Sequence, residues 1–176
     1  MTFKVFKPDE SLAEELATVH IACWHEAYRA IVPANVLQAT KLEQHTAKWQ
    51  GFMADAESII FAASTAENAI VGFISAGTST EILWGGMDGH IRALYILRAH
   101  HRQGLGRRLL GAAAHEWLAR GGRSLTLGVL AENHQARRFY ETLGAKLVRT
   151  GTHEWEGCQL DDAIYVFENL PELAKP

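Results

Sequence analysis

The strongest constraint on this chain is a change of pattern near residue 100. Residues 90–97, HIRALYIL, form a short apolar run with the proportions of a buried strand. A basic, glycine-containing loop follows, His100-His101-Arg102-Gln103-Gly104-Leu105-Gly106. Leu105, Leu109, Ala113 and Trp117 then recur at helical spacing, with Leu110, Ala114 and Leu118 in a second row beside them. Gly121-Gly122 ends that helix. Strand, glycine loop and helix is an arrangement that holds phosphates. The first helical amides lack intrahelical partners, and the helix dipole places about half a positive charge there. Gly104 and Gly106 would let the backbone approach a pyrophosphate with no Cβ in the way. His100, His101, Arg102, Arg107 and Arg108 supply donors and positive charge. The plain alternative is a tight turn with a solvated basic face. The segment lacks the third glycine of a dinucleotide fingerprint and the Gly-Lys-Ser/Thr ending of a nucleotide loop.

Elements on either side predict one mixed layer structure. Residues 3–6 alternate as an edge strand. Pro8-Asp9-Glu10-Ser11 reads as a helix start, and Leu12, Leu16, Val19, Cys23 and Ala27 extend that helix to about Arg29. Pro33 breaks it, and a second helix is expected over residues 36–52. Residues 58–63 and 69–76 predict a hairpin, followed by an irregular stretch around Gly85-Gly86. Residues 124–130 alternate as a strand. Asn133 can cap a helix reaching Leu143, with Gly144 beyond its end. Residues 145–150 and 160–167 predict a last strand pair. The order β-α-α-β-β-β-α-β-α-β-β implies a single α/β domain over residues 1–176, without repeats or linkers.

Bulk properties exclude several classes. With 48% hydrophobic residues the chain can build a real core. A net charge of -3 gives no support for a nucleic-acid binder. No stretch approaches the roughly 20 apolar residues of a membrane span, and Lys4, Lys7, Asp9 and Glu10 interrupt any signal-like N-terminus. Cys23 and Cys158 cannot make a disulfide framework. A soluble, cytoplasmic protein is expected. The nine histidines match no metal-site spacing, so no metal is expected and most imidazoles should be solvated.

A second constellation lies downstream. Asn133 and Tyr140 stand nearly two helical turns apart and share a face. Asn133 can present its amide to an extended ligand, or act as a plain N-cap. Tyr140 can donate from a phenol of pKa about 10, which suits protonation of a leaving thiolate, or serve as a core tyrosine.

These residues carry a family resemblance. Ala93-Leu94-Tyr95-Ile96, the loop from His101 to Gly106, and Asn133 with Ala136, Phe139-Tyr140-Glu141 and Leu143-Gly144-Ala145 resemble the GCN5-related N-acetyltransferases (GNAT). The resemblance implies an acyl-CoA N-acyltransferase fold: a mixed, mostly antiparallel sheet flanked by helices and splayed at the strand over residues 91–97. Acetyl-CoA would lie in the splay as cosubstrate. Backbone groups of Leu94 and Ile96 would pair with the pantetheine arm and the acetyl carbonyl, with Tyr95 between them. His101, Arg102 and the amides of Gln103, Gly104, Leu105, Gly106 and Arg107 would hold the pyrophosphate. Asn133 and Ala136 would meet pantetheine, and Tyr140 the thioester sulfur.

Two departures stand out. His101 occupies a place where the family usually has Gln or Arg. Its side-chain contribution, and with it cofactor affinity, should therefore weaken as pH rises through the imidazole's titration. Where many relatives carry a basic Glu, His90 is nearest, with Glu81 and Asp88 as alternatives. The expected reaction is direct acetyl transfer to a primary amine, with Tyr140 as general acid. The acceptor would be a small molecule or a peptide N-terminus or lysine. Trp24 and Tyr28 are candidate acceptor contacts, or core aromatics at helical spacing. A non-catalytic acyl-CoA sensor is the rival reading. A strand edge or the aromatic helix faces could support a homodimer.

Overall fold

Alternation in residues 59–63 shows how the layers form. Ile59, Phe61 and Ala63 join one apolar cluster, and Ile60 and Ala62 join another. Strand β2 (Ile59–Ser64) is therefore covered on both faces. The computed structural model describes residues 2–79, 88–155 and 158–175, without the side chains at 88, 153 and 155. Glu81 and Trp84 lie outside these residues, as does the side chain of Asp88.

The described strands form one sheet in the order β1-β2-β3-β4-β5-β7-β6. The others are β1 (Lys4–Phe6), β3 (Ile70–Thr78), β4 (Asp88–Ile96), β5 (Ser124–Leu130), β6 (Lys146–Trp155) and β7 (Cys158–Phe167). Neighbours pair antiparallel except β4 and β5, which are parallel. This is the mixed, mostly antiparallel sheet expected. Helix α4 (Leu105–Ala119) connects the parallel pair and packs Leu105, Leu109, Leu110, Ala113 and Trp117 against one face. Helices α1 (Ala13–Tyr28) and α3 (Leu42–Ala54) cover the other.

The long second helix expected over residues 36–52 is two helices. Short α2 (Ala34–Gln38) ends before Lys41, whose backbone is extended, and α3 starts at Leu42. Val36 and Leu37 pack with Val32 and Leu130, whereas Trp49 packs with Phe73 and Leu16. One straight helix could not serve both clusters. The last hairpin also runs further than expected, to Trp155 and from Cys158. Helix α5 (His134–Thr142) begins at its Asn133 cap, and a short α6 (Leu170–Leu173) closes the chain. No helix among the described residues is long and apolar enough to cross a membrane.

Candidate active site

The site is made by two strands parting. β4 and β5 pair only from Asp88 to Ile91 and from Ser124 to Leu127. Beyond that, Leu94, Tyr95 and Ile96 pair with β3, while Gly128, Val129 and Leu130 pair with β7. An opening remains between the two strand ends. The amide of Leu97 donates to Val71 of β3 at 2.9 Å. By alternation, Tyr95 also turns its backbone to β3, and Leu94 and Ile96 turn theirs to the opening.

A β-bulge sets which side chains share a face. Ala93 pairs with Ser75 and Ile91 with the adjacent Ala76, so Arg92 is the extra residue. Its guanidinium donates to Ala76 O at 2.7 Å and to Ser58 Oγ at 3.2 Å. A Cβ on Gly77 would stand 2.2 Å from that guanidinium, so a side chain there would have to displace the Arg92 head group. The bulge reverses the alternation, so His90 shares the α1/α3 side with Tyr95 although the two stand five positions apart. Simple period-two reading would put them on opposite faces. The Thr126 hydroxyl donates to Gly89 O at 3.0 Å and so accepts from His90 Nδ1 at 3.1 Å. That tautomer leaves the lone pair on Nε2.

The α1 side of the opening is aromatic. Trp24 Nε1 donates to the Tyr95 hydroxyl at 3.0 Å, and the Tyr28 and Tyr95 hydroxyls are 2.8 Å apart. The structure thus joins both candidate acceptor residues to a candidate cofactor residue. Burial raises the Tyr28 phenol and raises that of Tyr95 well above its ordinary value. Val32, Val36 and Leu37 close this side against Leu130 at the end of β5.

Helices α4 and α5 bound the opening on the other side. Gly104 caps α4 with φ 77°, and Arg102 has φ 57°. Gly104 is required by its left-handed backbone, since a Cβ there would meet open space. Gly106 has a different reason: its Cβ would lie 2.8 Å from Phe139 Cζ of α5. The second glycine thus serves helix packing as much as ligand approach. Arg102, Gln103 and Arg107 are exposed around the loop, and Leu105 is buried beneath it. Arg108 is committed to the fold through Phe3 O, at 3.2 and 3.3 Å. The His101 imidazole also turns inward, bonding Ile96 O at 2.8 Å and Gln135 Nε2 at 3.2 Å.

Asn133 caps α5, its Oδ1 accepting from the Ala136 amide at 3.1 Å. Both are half-buried, and the cap leaves the amide nitrogen of Asn133 as a further donor. Tyr140 is buried between the edges of Phe139 and Phe167. Burial, then the nearby Tyr28, pushes its phenol well above the ordinary value. Three further residues hold α5 in place: Arg137 donates to Tyr165 OH at 2.9 Å, and that hydroxyl donates to Glu141 at 2.5 Å.

The histidine expectation needs correction at two places. His20 is not solvated: its ring meets Trp24, Trp49, Phe73, Tyr95 and His45, at centroid distances of 5.1 to 6.0 Å. Burial, then His45 and Lys48, brings its pKa down to about 3. His45 is buried as well, and its pKa is lowered by burial. Four-residue spacings from His20 to Trp24 and from His45 to Trp49 placed each imidazole on its helix's apolar face. That signal was available in the sequence.

The family comparison agrees with this geometry. The pattern of the acetyltransferase (GNAT) family matches residues 21–145. The uncharacterized N-acetyltransferase YuaI of Bacillus subtilis strain 168 is 28% identical over 160 residues, covering 91% of this chain and 90% of that protein. The PaiA N-acetyltransferase of Thermoplasma acidophilum, solved in complex with coenzyme A, superposes with a TM-score of 0.75 at 18% identity, over 93% of this chain and 98% of the other. Arabidopsis thaliana NAA60, solved with a bisubstrate analogue, gives 0.71 at 16%, over 94% and 98%. These two likenesses speak for the fold, and the family match extends from α1 past the end of α5: the chain belongs to the acetyltransferase (GNAT) family.

Proposed function

We propose that this chain transfers the acetyl group of acetyl-CoA to a primary amine by direct attack, with Tyr140 as general acid. The observation that carries the reading is the opening between Leu94–Ile96 and Gly128–Leu130, with the α4 loop beyond the end of β4. The pyrophosphate would meet the amides of Gln103 to Arg107 with Arg102 and Arg107 beside them. Pantetheine would lie along Leu94 and Ile96, reached by Asn133 near Ala136. The amine enters from the side of Trp24 and Tyr28.

A neutral amine nitrogen forms the new C–N bond, and a backbone amide of the parted strand steadies the oxyanion. The C–S bond breaks, and the thiolate takes the Tyr140 proton. A raised phenol pKa keeps Tyr140 protonated at neutral pH but makes it a weaker acid than a thiol, so burial opposes the transfer and the hydrogen bond to the forming thiolate has to favour it. The proton lost by the amine passes to His90 Nε2 through water. Cys23 is no rival nucleophile, since burial pushes its thiol up to about 12. Both cysteines are unpaired, which supports the cytoplasm as the compartment.

The test follows free thiol with acetyl-CoA and a panel of small amines and peptides bearing free N-termini or lysines. Tyr140→Phe should lower kcat roughly 10²-fold or more while acetyl-CoA binding persists. An acyl-CoA sensor would bind acetyl-CoA without turning over any amine. Turnover unchanged in Tyr140→Phe would remove the general-acid role.

A further inference from the structure

We propose that His101 is a positioning residue, an imidazole strut that fixes the width of the cosubstrate slot. The inference rests on the acetyl-CoA reading above. His101 stands between the two walls of the opening: Ile96 is the last residue of β4, and Gln135 lies in the first turn of α5. Its Nε2 is 2.8 Å from Ile96 O, and its Nδ1 is 3.2 Å from Gln135 Nε2. A carbonyl only accepts, so Nε2 carries the hydrogen, and Nδ1 accepts from the Gln135 amide. A rigid ring thus joins strand to helix with one donor and one acceptor.

The strut acts on an atom the reaction uses. Ile96 O faces the opening, because Leu97 turns its amide to β3. A carbonyl oxygen has two lone pairs. Engaging one with His101 orients the other toward the pantetheine amide. His101 is half-buried while Arg102, Gln103 and Arg107 are exposed, so the loop offers a phosphate other cations and keeps this imidazole for the protein. Glutamine carries the same donor and acceptor ends in one side chain. Arginine carries donors alone, so it can hold Ile96 O but accepts nothing from the Gln135 amide.

The experiment measures acetyl-CoA dissociation by calorimetry, with KM and kcat on the best amine. His101→Ala should raise the dissociation constant and KM about tenfold, the effect of one or two net hydrogen bonds. Its kcat at saturating acetyl-CoA should stay close to the wild-type value. His101→Gln should restore affinity, His101→Arg only part of it. Gln135→Ala should weaken binding less, and its effect should nearly vanish in a His101→Ala background. Wild-type affinity in His101→Ala, or a Gln variant as weak as the Ala variant at equal melting temperature, overturns the strut. If His101→Ala does not fold, Gln135→Ala decides, because that side chain is exposed: unchanged affinity overturns the proposal. A wild-type protein that ignores acetyl-CoA sinks the parent reading instead.

Discussion

The two faces of the sheet are built from different materials. The α4 face is mainly aliphatic with a few rings among the side chains: Leu105, Leu109, Leu110 and Trp117 pack with Ile74, Ile91, Leu125 and Leu127, and Tyr140, Tyr165 and Phe167 join the same cluster. The α1/α3 face carries rings with polar edges, namely His20, Trp24, Tyr28, His45, Trp49 and Tyr95. Among the described residues, its buried Ser75 Oγ and His45 Nδ1 have no hydrogen-bond partner. The first face buries mostly apolar atoms, and its Trp117 indole and Tyr165 hydroxyl are hydrogen-bonded. The second gives up packing energy to keep hydrogen-bonding and titratable groups beside the opening. Away from Tyr140, stability and chemistry should therefore separate by face when each is mutated.

The largest expected effect is on the α4 face. Trp117 is buried at 2% exposure, its Nε1 donates to Ser124 O at 2.8 Å, and Gly89 and Gly122 are shaped around its ring. Trp117→Ala should cost about 3–5 kcal/mol in denaturant unfolding. The KM values of molecules that remain folded should not move. Gly106→Ala comes next, because it tests the seam between that face and the opening. Its Cβ would press on Phe139 and so on the helix carrying Tyr140. We expect about 1–3 kcal/mol of strain together with a lower kcat. Gly104→Ala meets no neighbour, so it should cost stability through its backbone alone.

Acid should act on the other face. His20, at about 3 in the fold, stays neutral where an unfolded imidazole near 6.5 takes a proton. Its contribution is fully present above about pH 6.5 and is lost as pH falls toward 3, at up to about 1.4 kcal/mol per pH unit. His45 acts in the same direction, and Lys48 opposes a charge on either imidazole. His20→Phe should flatten the fall in unfolding free energy between pH 6.5 and 5, measured by denaturant titration. An unchanged slope would mean that the acid sensitivity lies elsewhere.

Much of this was legible in the sequence, for reasons that also explain what was not. The α4 rows, the loop and the Asn133–Tyr140 spacing are local, so period and capping rules reach them. The parting of β4 from β5 was visible only through family resemblance. The bulge at Arg92 was not visible, because one extra residue in a ladder depends on the partner strand. That residue decides whether His90 looks toward Tyr95. The contacts of His101 with Ile96 and Gln135 were hidden likewise, since they join three separate elements. The acceptor side is the least legible, because a ring at helical spacing reads the same in a core and in a pocket.

Tyr28→Phe addresses that ambiguity and should be the mildest of these changes. It removes a hydroxyl 2.8 Å from that of Tyr95 and leaves the ring in place. Tyr95 keeps the bond from Trp24 Nε1, so the loss should be only about 0.5–1.5 kcal/mol. If the face borders the acceptor, KM for the amine should shift severalfold while KM for acetyl-CoA holds. Trp117→Ala predicts the reverse pattern, a large stability loss with both KM values intact. A Tyr28→Phe protein that loses stability yet keeps both KM values would behave like the α4 face. The aromatic wall would then be core, and acceptor contacts would have to be sought on another part of the opening.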